Sequence, residues 1–362
     1  MITNCENNRK LSLLEHIQIR PTMYVGRLGD GTQPDDGIYI LLKEVINNAV
    51  DELERRTDGQ IEVKLLNEHR ISIRDNGNGI PLDKLTQYVT IEEPIFDGTI
   101  GHKSIGLHGY GIKILIGLSS HFEVSSYNKG KARTIIFQNG LLKEDTTSST
   151  NERDGLYVSF EPSDKFFKGF RFHEDIVGNL TREYSYLNNR LSFRFGDISI
   201  ESPNGLADML NDNVKNEAIY PIIHFVGHYI EVAFTHTYRS GETIFSYVNK
   251  HYTPLGGTHQ EAFVKYLVQT MRSIYGWKKK DAILYGLVAA ISIRVEDPYF
   301  DSSTKVKLSA TEMNANGDSI DDYVGSFLVK HLLDYLYSHP DVLNIIKTTI
   351  NEYGRNKCTR NC

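Results

Sequence analysis

The sequence predicts an α+β protein built from two domains. Its 362 residues are about twice the usual length of one domain. Segments with alternating apolar residues, typical of strands, are mixed with segments of helical periodicity in both halves of the chain. The pattern resets near "SPNGLADMLND", so we expect one domain over residues 1–205 and a second over residues 206–362.

The composition is that of an ordinary globular protein. Hydrophobic residues make up 40% and charged residues 24%, and the net charge of −6 excludes a protein that coats nucleic acid through bulk positive charge. No apolar run reaches the ~18 residues of a membrane helix, and the N-terminus lacks the order of a secretory signal. We therefore expect a cytoplasmic protein with no membrane contact. Three cysteines near the chain ends fit a reducing compartment without disulfides.

In the first half, the Pro and Gly spacing of "RPTMYVGRLGDGTQPDDG" (20–37) predicts no regular structure. A helix is predicted over residues 37–55, because six apolar residues recur at helical spacing: Leu41, Leu42, Val45, Ile46, Ala49 and Leu53. Alternation in residues 60–80 predicts a hairpin. A buried helix and two strands turning at residues 128–130 follow over 112–142, and the segments at 155–163 and 190–202 continue the sheet.

The second half begins with strands in "HYIEVAFTHTY" and "GETIFSYVNKHYT". A Gly-Gly turn leads into a long helix, "HQEAFVKYLVQTMRSIYG". The chain then returns to a strand in "GLVAAISIRVED" and ends in helices from about Asp321.

The helix predicted over 37–55 carries Glu44, Asn48, Asp51 and Glu52 within one arc, opposite its apolar face. Taken alone, this pattern describes an amphipathic surface helix. The functional interpretation is that Glu44 and Asn48, one turn apart, point into one site. A carboxylate there would orient and deprotonate water, and an amide oxygen would hold a divalent cation.

The segment "RDNGNGIP" (74–81) also has two interpretations. Asn-Gly pairs are common in hairpin turns, which is the simpler one. However, an aspartate at the end of an apolar strand is costly to bury unless it accepts a hydrogen bond. Asp75 could accept one from an exocyclic amine such as adenine N6, with Gly77 and Gly79 letting the backbone approach the base.

The segment "GHKSIGLHGYGIK" (101–113) places Gly106, Gly109 and Gly111 before an apolar helix. It could be a glycine-rich surface turn. It could also bind polyphosphate, since backbone N–H groups and a helix N-terminus would face the ligand. Four side chains add positive charge: His102, Lys103, His108 and Lys113. It is not a Walker loop, because no Gly-Lys-Ser/Thr closes it.

These three elements, in this order and within about 70 residues, resemble the GHKL (Bergerat) ATP-binding α/β sandwich of gyrase, Hsp90, histidine kinases and MutL. Further blocks resemble the ATPase subunit of type IIA topoisomerases: "RPTMYVG", "LLKEVINNAVDE", "DNGNGIP", "GLHGYG", "YPIIH", "GGTHQEAF" and "DPYFDSSTKVKLSATEM". Within that family, the sequence fits both the B subunit of topoisomerase IV and the B subunit of gyrase. The resemblance implies a second domain of the ribosomal-protein-S5-like transducer type.

The resemblance implies ATP and Mg²⁺ as cofactors. Glu44 would be the general base, Asn48 the Mg²⁺ ligand and Asp75 the partner of the adenine amine. Lys305 would reach the γ-phosphate from the second domain, with Lys307 as its nearest competitor, and residues 94–103 would form a lid. The other nucleotide-binding residues implied are Gly77, Gly79, Ile80, Pro81, Lys103, Gly106, Leu107, His108, Gly109, Tyr110, Gly111 and Ser303.

The function implied is an ATP-hydrolysing clamp that dimerises on ATP binding and couples this to passage of double-stranded DNA. Residues 1–26, with Arg20, Pro21 and Tyr24, would be an arm lent to the second copy of the chain, and the topoisomerase A subunit would join in the full-length enzyme. The metal cluster of the family's DNA-cleavage domain is not found in the sequence, so we expect no DNA cleavage by this chain alone. An Hsp90-like chaperone is disfavoured by "GGTH" and "STKVK".

Several positions depart from the family pattern. This chain has Asn47 where the family has Asp, Leu156 where it has Thr, and Ser303 where it has Gln. The lid also lacks the family's Gly-Gly-Lys sequence. Asn78 stands for an Arg, which removes an expected partner of Glu52. These departures motivate an alternative function, a nucleotide-gated dimerisation module with little or no ATP hydrolysis.

Overall fold

The computed structural model describes residues 11–54, 56–90, 111–276, 280–302 and 305–359, with side chains up to residue 351. The chain divides into two compact units, one ending at Glu201 and the other beginning at Ser202. Each unit has its own apolar core.

The first unit contains one eight-stranded sheet within its described residues. The strand order is β5-β4-β3-β6-β2-β1-β7-β8, and all neighbours are antiparallel except β1 and β7. The strand bounds are β1 Gln60–Asn67, β2 Arg70–Asp75, β3 Ser119–Asn128, β4 Lys131–Gln138, β5 Leu141–Ser149, β6 Gly155–Pro162, β7 Ser192–Phe195 and β8 Ile198–Ile200. The predicted hairpin and the later strands are therefore confirmed, including the turn at 128–130.

Helices cover one face of this sheet. Their bounds are α1 Leu13–Ile19, α2 Thr22–Val25, α3 Gly37–Leu53, α4 Leu85–Val89, α5 Gly111–Leu118 and α6 Glu174–Leu187. The helix predicted over 37–55 is confirmed as α3, and its six apolar residues are all buried. Register pairs Ile73 with Val158 and Ile61 with Asp75, so Asp75 lies on the same face as the core residues.

The turn-rich stretch at 20–37 is not free of regular structure, so that prediction is wrong in part. The four residues of α2 form one helical turn there, begun by Pro21, whose fixed φ suits a helix start. Just before it, Ile17 of α1 packs against Gly117 of α5, and the Gln18 amide donates to the Gly117 carbonyl at 3.1 Å. Residues of α1 thus pack onto their own unit, and the arm predicted over residues 1–26 stays a prediction.

The second unit has a five-stranded sheet in the described part of the chain, in the order β12-β11-β13-β10-β9. Its strands are β9 Ile223–Val226, β10 Ile230–His236, β11 Thr243–Val248, β12 His251–Tyr252 and β13 Leu287–Ile293. Its helices are α7 Leu206–Val214, α8 Thr258–Tyr275, α9 Lys280–Leu284, α10 Ile320–Ser338 and α11 Pro340–Thr359. The predicted strands, the long helix and the closing helices are confirmed.

Close packing joins α8 to α10. A Cβ added to Gly325 of α10 would lie 2.4 Å from the Tyr266 ring of α8, so only glycine allows this approach. Among the residues with assigned structure, none of the helices is both long enough and apolar enough to cross a bilayer.

Two histidines are buried in the second unit. His236 accepts from the Tyr220 hydroxyl through Nδ1 at 2.6 Å and donates from Nε2 to the Ile283 carbonyl at 2.8 Å. Neither ring nitrogen of His259 has a hydrogen-bond partner among the described residues. Burial lowers the pKa of His236 from 6.5 to about 4 and that of His259 to about 3.

These histidines predict that the second unit loses stability in mild acid. Below pH 6.5 the unfolded chain binds protons that the folded unit excludes, so stability falls from pH 6.5 towards pH 4. The loss between pH 6.5 and pH 5 is about 2 kcal/mol per histidine. Urea unfolding of the full chain at pH 7 and pH 5 measures how much the free energy of unfolding falls between the two pH values. His259→Leu should reduce this fall by about 2 kcal/mol. An unchanged difference would contradict the assignment, and exposed His228→Leu is the control.

Candidate functional site

The first side of the site is the polar edge of α3. The apolar residues of this helix face the core, which leaves Glu44 and Asn48, one turn apart, half-buried on the same side. A Cβ added to Gly111, the first residue of α5, would lie 2.6 Å from Glu44 Oε2. The Glu44 carboxylate therefore lies directly beside the backbone of residue 111. A helix N-terminus next to this carboxylate favours negative charge there.

Asn48 is held from the side by a tyrosine. Its Nδ2 donates to the Tyr88 hydroxyl of α4 at 3.5 Å, which leaves the amide oxygen to face away from Tyr88. Burial raises the Tyr88 pKa above its ordinary value, and the negative charges of Asp75 and Glu44 raise it further. Asn48 thus contacts Tyr88, and the charges of Asp75 and Glu44 act on the same hydroxyl.

Asp75 ends β2 on the core side of the sheet, with 5% of its surface exposed. Its Oδ1 accepts from the backbone N–H groups of Gly77 at 2.8 Å and Leu156 at 3.2 Å. Burial outweighs these bonds and raises the Asp75 pKa from 3.8 to about 6. Within the described residues, Oδ2 has no hydrogen-bond donor.

The two glycines after Asp75 have packing reasons of their own. A Cβ on Gly77 would lie 2.6 Å from Glu52 Cγ, so the turn packs tightly against α3. Gly79 has φ +66, and a Cβ there would lie 2.5 Å from the Tyr127 carbonyl. The next residue, Ile80, accepts from the Ser126 hydroxyl at 2.7 Å, and Pro81 is exposed. Their predicted contacts with a base remain a prediction.

Asn78 occupies the position where the family has arginine, and it is a hydrogen-bond partner of Glu52. The expectation that Glu52 loses its partner there is therefore wrong. Both the backbone N–H and the side-chain amide of Asn78 donate to Glu52 Oε1, each at 3.1 Å. The shorter side chain reaches because the turn after Asp75 packs against α3. A second departure, Asn47, accepts from the hydroxyl of buried Tyr184 at 2.7 Å, which ties α3 to α6.

Sequence reasoning missed both tyrosines. Tyr88 lies in a five-residue helix and Tyr184 lies on α6, more than 130 residues along the chain from Asn47. Burial raises the Tyr184 pKa well above its ordinary value, and the charge of Glu44 adds to this. Only the three-dimensional packing reveals these contacts, because no local pattern in the sequence marks either residue.

Much of the predicted phosphate loop lies outside the described residues, and so do the predicted lid and Ser303. The predicted site residues concerned are Lys103, Gly106, Leu107, His108, Gly109 and Tyr110. Lys305 belongs to the second unit, where its backbone has φ 56 and its N–H donates to the Ser302 carbonyl at 3.0 Å. Its ammonium lies 6.0 Å from the centre of the Phe300 ring.

Comparisons with known proteins identify the family of both halves of the chain. Residues 34–158 match the family described as histidine kinase-, DNA gyrase B- and HSP90-like ATPase, and residues 205–360 match the family described as DNA gyrase B. The B subunit of DNA topoisomerase 4 from Borreliella burgdorferi is 39% identical over 313 residues, which are 84% of this chain and 52% of that protein. The B subunit of DNA gyrase from Campylobacter jejuni is 28% identical over 336 residues, 84% of this chain and 43% of that protein.

A solved structure matches over nearly the whole chain. The 43K ATPase domain of Thermus thermophilus gyrase B, in complex with an aminocoumarin, is 26% identical with a TM-score of 0.70. The match covers 96% of this chain and 95% of that one. The chain spans about half the length of the curated relatives it matches.

The fold and the site define a GHKL-type ATPase domain followed by a transducer domain. The chain belongs to the family formed by the B subunits of topoisomerase IV and gyrase.

Proposed function

We propose that this chain binds and hydrolyses ATP, and that it acts in the cytoplasm as the ATP-driven clamp of a type IIA topoisomerase. One observation supports the proposal most: the turn after Asp75 packs against α3, the helix that carries Glu44 and Asn48, and Asn48 contacts Tyr88. A carboxylate, an amide oxygen and a buried acid in one place form the set that adenine, a metal-bound phosphate and an attacking water require.

The residues present fit a nucleotide. Asp75 Oδ2, which lacks a donor within the described residues, would accept from the exocyclic amine of adenine, while the two backbone bonds hold Oδ1 in place. The raised pKa of about 6 leaves Asp75 ionised and able to accept above that pH. Burial makes such a bond strong, because water competes for it poorly.

Asn48 fits a Mg²⁺ site. Proteins hold Mg²⁺ through one or two oxygen ligands while substrate phosphates and water complete the shell. With Nδ2 turned towards Tyr88, the Asn48 amide oxygen would be the ligand. When bound, the ion would neutralise charge on the phosphates.

Glu44 would act as the general base. Its carboxylate lies beside Gly111, at the start of the helix that follows the glycine-rich segment. A water between this carboxylate and the terminal phosphate would give up its proton to Glu44 as it attacks. Backbone N–H groups at the start of α5 would face the phosphates.

Double-stranded DNA, a second copy of this chain and the topoisomerase A subunit are the proposed partners. They are supported by membership of the topoisomerase IV and gyrase B family. The direct test has two measurements. One is phosphate release by the chain with ATP, and the other is its oligomeric state in the presence of a non-hydrolysable ATP analogue. Dimerisation without phosphate release would favour the alternative, a nucleotide-gated module. The absence of both dimerisation and phosphate release would overturn the proposal.

Lys305 is proposed to contact the γ-phosphate, so Lys305→Ala should weaken dimerisation in the ATP analogue by about tenfold or more, the value of one charged hydrogen bond. Affinity for ADP, which lacks this phosphate, should change less than about twofold. Sedimentation velocity and calorimetry measure the two effects. Lys307→Ala is the matched control, since Lys307 lies 4.0 Å from the Asp301 carboxylate. Equal losses for both nucleotides would contradict the contact.

A further inference from the structure

Lys305 lies in the segment between Phe300 and Leu308 of the second unit. Phe300 pairs with Leu308 across this loop, and Asp301 N–H donates to the Lys307 carbonyl at 3.1 Å. At the base, Ser309 N–H donates to the Tyr299 carbonyl at 2.9 Å. The position of Lys305 therefore depends on what holds residues 306–310.

The turn that begins α8 holds this segment through backbone bonds. Leu308 N–H donates to the Gly256 carbonyl at 3.0 Å, and Thr258 N–H donates to the Leu308 carbonyl at 3.2 Å. Leu255 N–H adds a bond of 3.0 Å to the Val306 carbonyl. Leu308, at the centre, is fully buried.

Gly257 allows this close approach. A Cβ there would lie 2.4 Å from the Leu308 carbonyl oxygen and 2.6 Å from its nitrogen, both backbone atoms. Its φ of +137 also disfavours any other residue. A side chain at 257 would therefore push residues 306–310 away.

The side chain of Thr258 adds a bond of its own. Its hydroxyl donates to the Ala310 carbonyl at 2.6 Å. Threonine hydroxyls near helix starts commonly cap the helix, but this helix has no side-chain cap. The hydroxyl is thus directed to the loop instead of to its own helix.

We propose that Thr258 is a positioning residue for Lys305, holding residues 306–310 so that the ammonium is placed for the γ-phosphate. This inference rests on the proposed function. The hydroxyl bond at Ala310 and the backbone bonds at Leu308 hold the chain five and three residues from Lys305, which are spans of at most about 18 Å and about 11 Å. The segment between these bonds and Lys305 is therefore short. On its other side Thr258 begins α8, which packs tightly against α10. Movement of Lys305 is thereby coupled to this helix pair.

The test compares Thr258→Val, which has nearly the same shape but no hydroxyl, with Thr258→Ser, which keeps the hydroxyl. Loss of one neutral hydrogen bond predicts about a tenfold fall in kcat for ATP, with ADP affinity within about twofold. Thr258→Ser should restore the rate. In a Lys305→Ala background, Thr258→Val should have almost no further effect, because both changes remove the same contribution.

Hydrogen exchange without nucleotide gives a second readout. The Leu308 amide should exchange about tenfold faster in Thr258→Val than in the wild type. An unchanged exchange rate, or an equal kcat loss in the Lys305→Ala background, would overturn the inference. Absence of phosphate release and dimerisation in the wild type would instead overturn the proposed function, while the exchange rate would still show whether Thr258 holds the loop.

Discussion

Glu44→Gln is expected to lower the rate of ATP hydrolysis by about 10²- to 10⁴-fold, the usual contribution of a general base. Glutamine has the same shape and fills the same space beside Gly111, but its amide cannot take a proton from water. Nucleotide affinity should stay within about threefold, because the substitution changes the reaction more than the binding. Steady-state phosphate release and calorimetry measure the two quantities.

Asp51→Asn is the matched control for this prediction. Asp51 lies on the same helix but is exposed to solvent, so its substitution should leave the rate within about twofold. A Glu44→Gln protein with wild-type turnover would remove Glu44 from the catalytic role. A wild-type chain that binds ATP and dimerises without turnover would support the nucleotide-gated module in its place.

Asp75→Asn is expected to weaken nucleotide binding by about 10- to 100-fold, which corresponds to loss of a charge-assisted hydrogen bond. An asparagine whose Oδ1 keeps the bonds from Gly77 and Leu156 would turn its NH₂ towards the adenine amine. Two donors would then face each other. Calorimetry with the ATP analogue measures the loss, and unaltered affinity would exclude Asp75 from the adenine site.

The same substitution should stabilise the protein without nucleotide. Because burial raises the Asp75 pKa from 3.8 to about 6, the folded state favours the protonated acid, and this favourable contribution is lost as the pH rises through 6. At pH 7.5 the ionised carboxylate costs about 2–3 kcal/mol, which asparagine avoids. Urea unfolding should show a gain of that order at pH 7.5 and a much smaller gain at pH 4.5. A loss of stability at pH 7.5 would contradict the proposed cost.

Local periodicity predicts much of this fold. The spacing of Leu41, Val45 and Ala49 defines α3 and its buried face, which in turn places Glu44 and Asn48 on the opposite side. Strand alternation likewise places Asp75 on the core face after Ile71 and Ile73. The part of the site that depends on one helix or one hairpin is therefore accessible from the sequence.

Contacts between distant elements are not accessible in this way. The support of Asn48 by Tyr88 and of Asn47 by Tyr184 depends on how helices pack, which no local pattern specifies. The prediction that Asn78 leaves Glu52 without its partner is wrong for the same reason. The turn that carries Asn78 lies close to α3, so that even a short side chain reaches Glu52. The helical turn at Thr22–Val25 is missed because glycines and prolines nearby suggest only loops.

The pairing of β1 with β7 has a consequence for synthesis on the ribosome. Gln60 pairs with Ser192, so β1 lacks its second neighbour until roughly 130 further residues have been translated. At about 5–20 residues per second this takes about 7–26 s, during which the edge of β1 that pairs with β7 in the folded sheet has no neighbour. The nascent first unit therefore carries an unpaired strand edge throughout this interval, and such an edge favours aggregation.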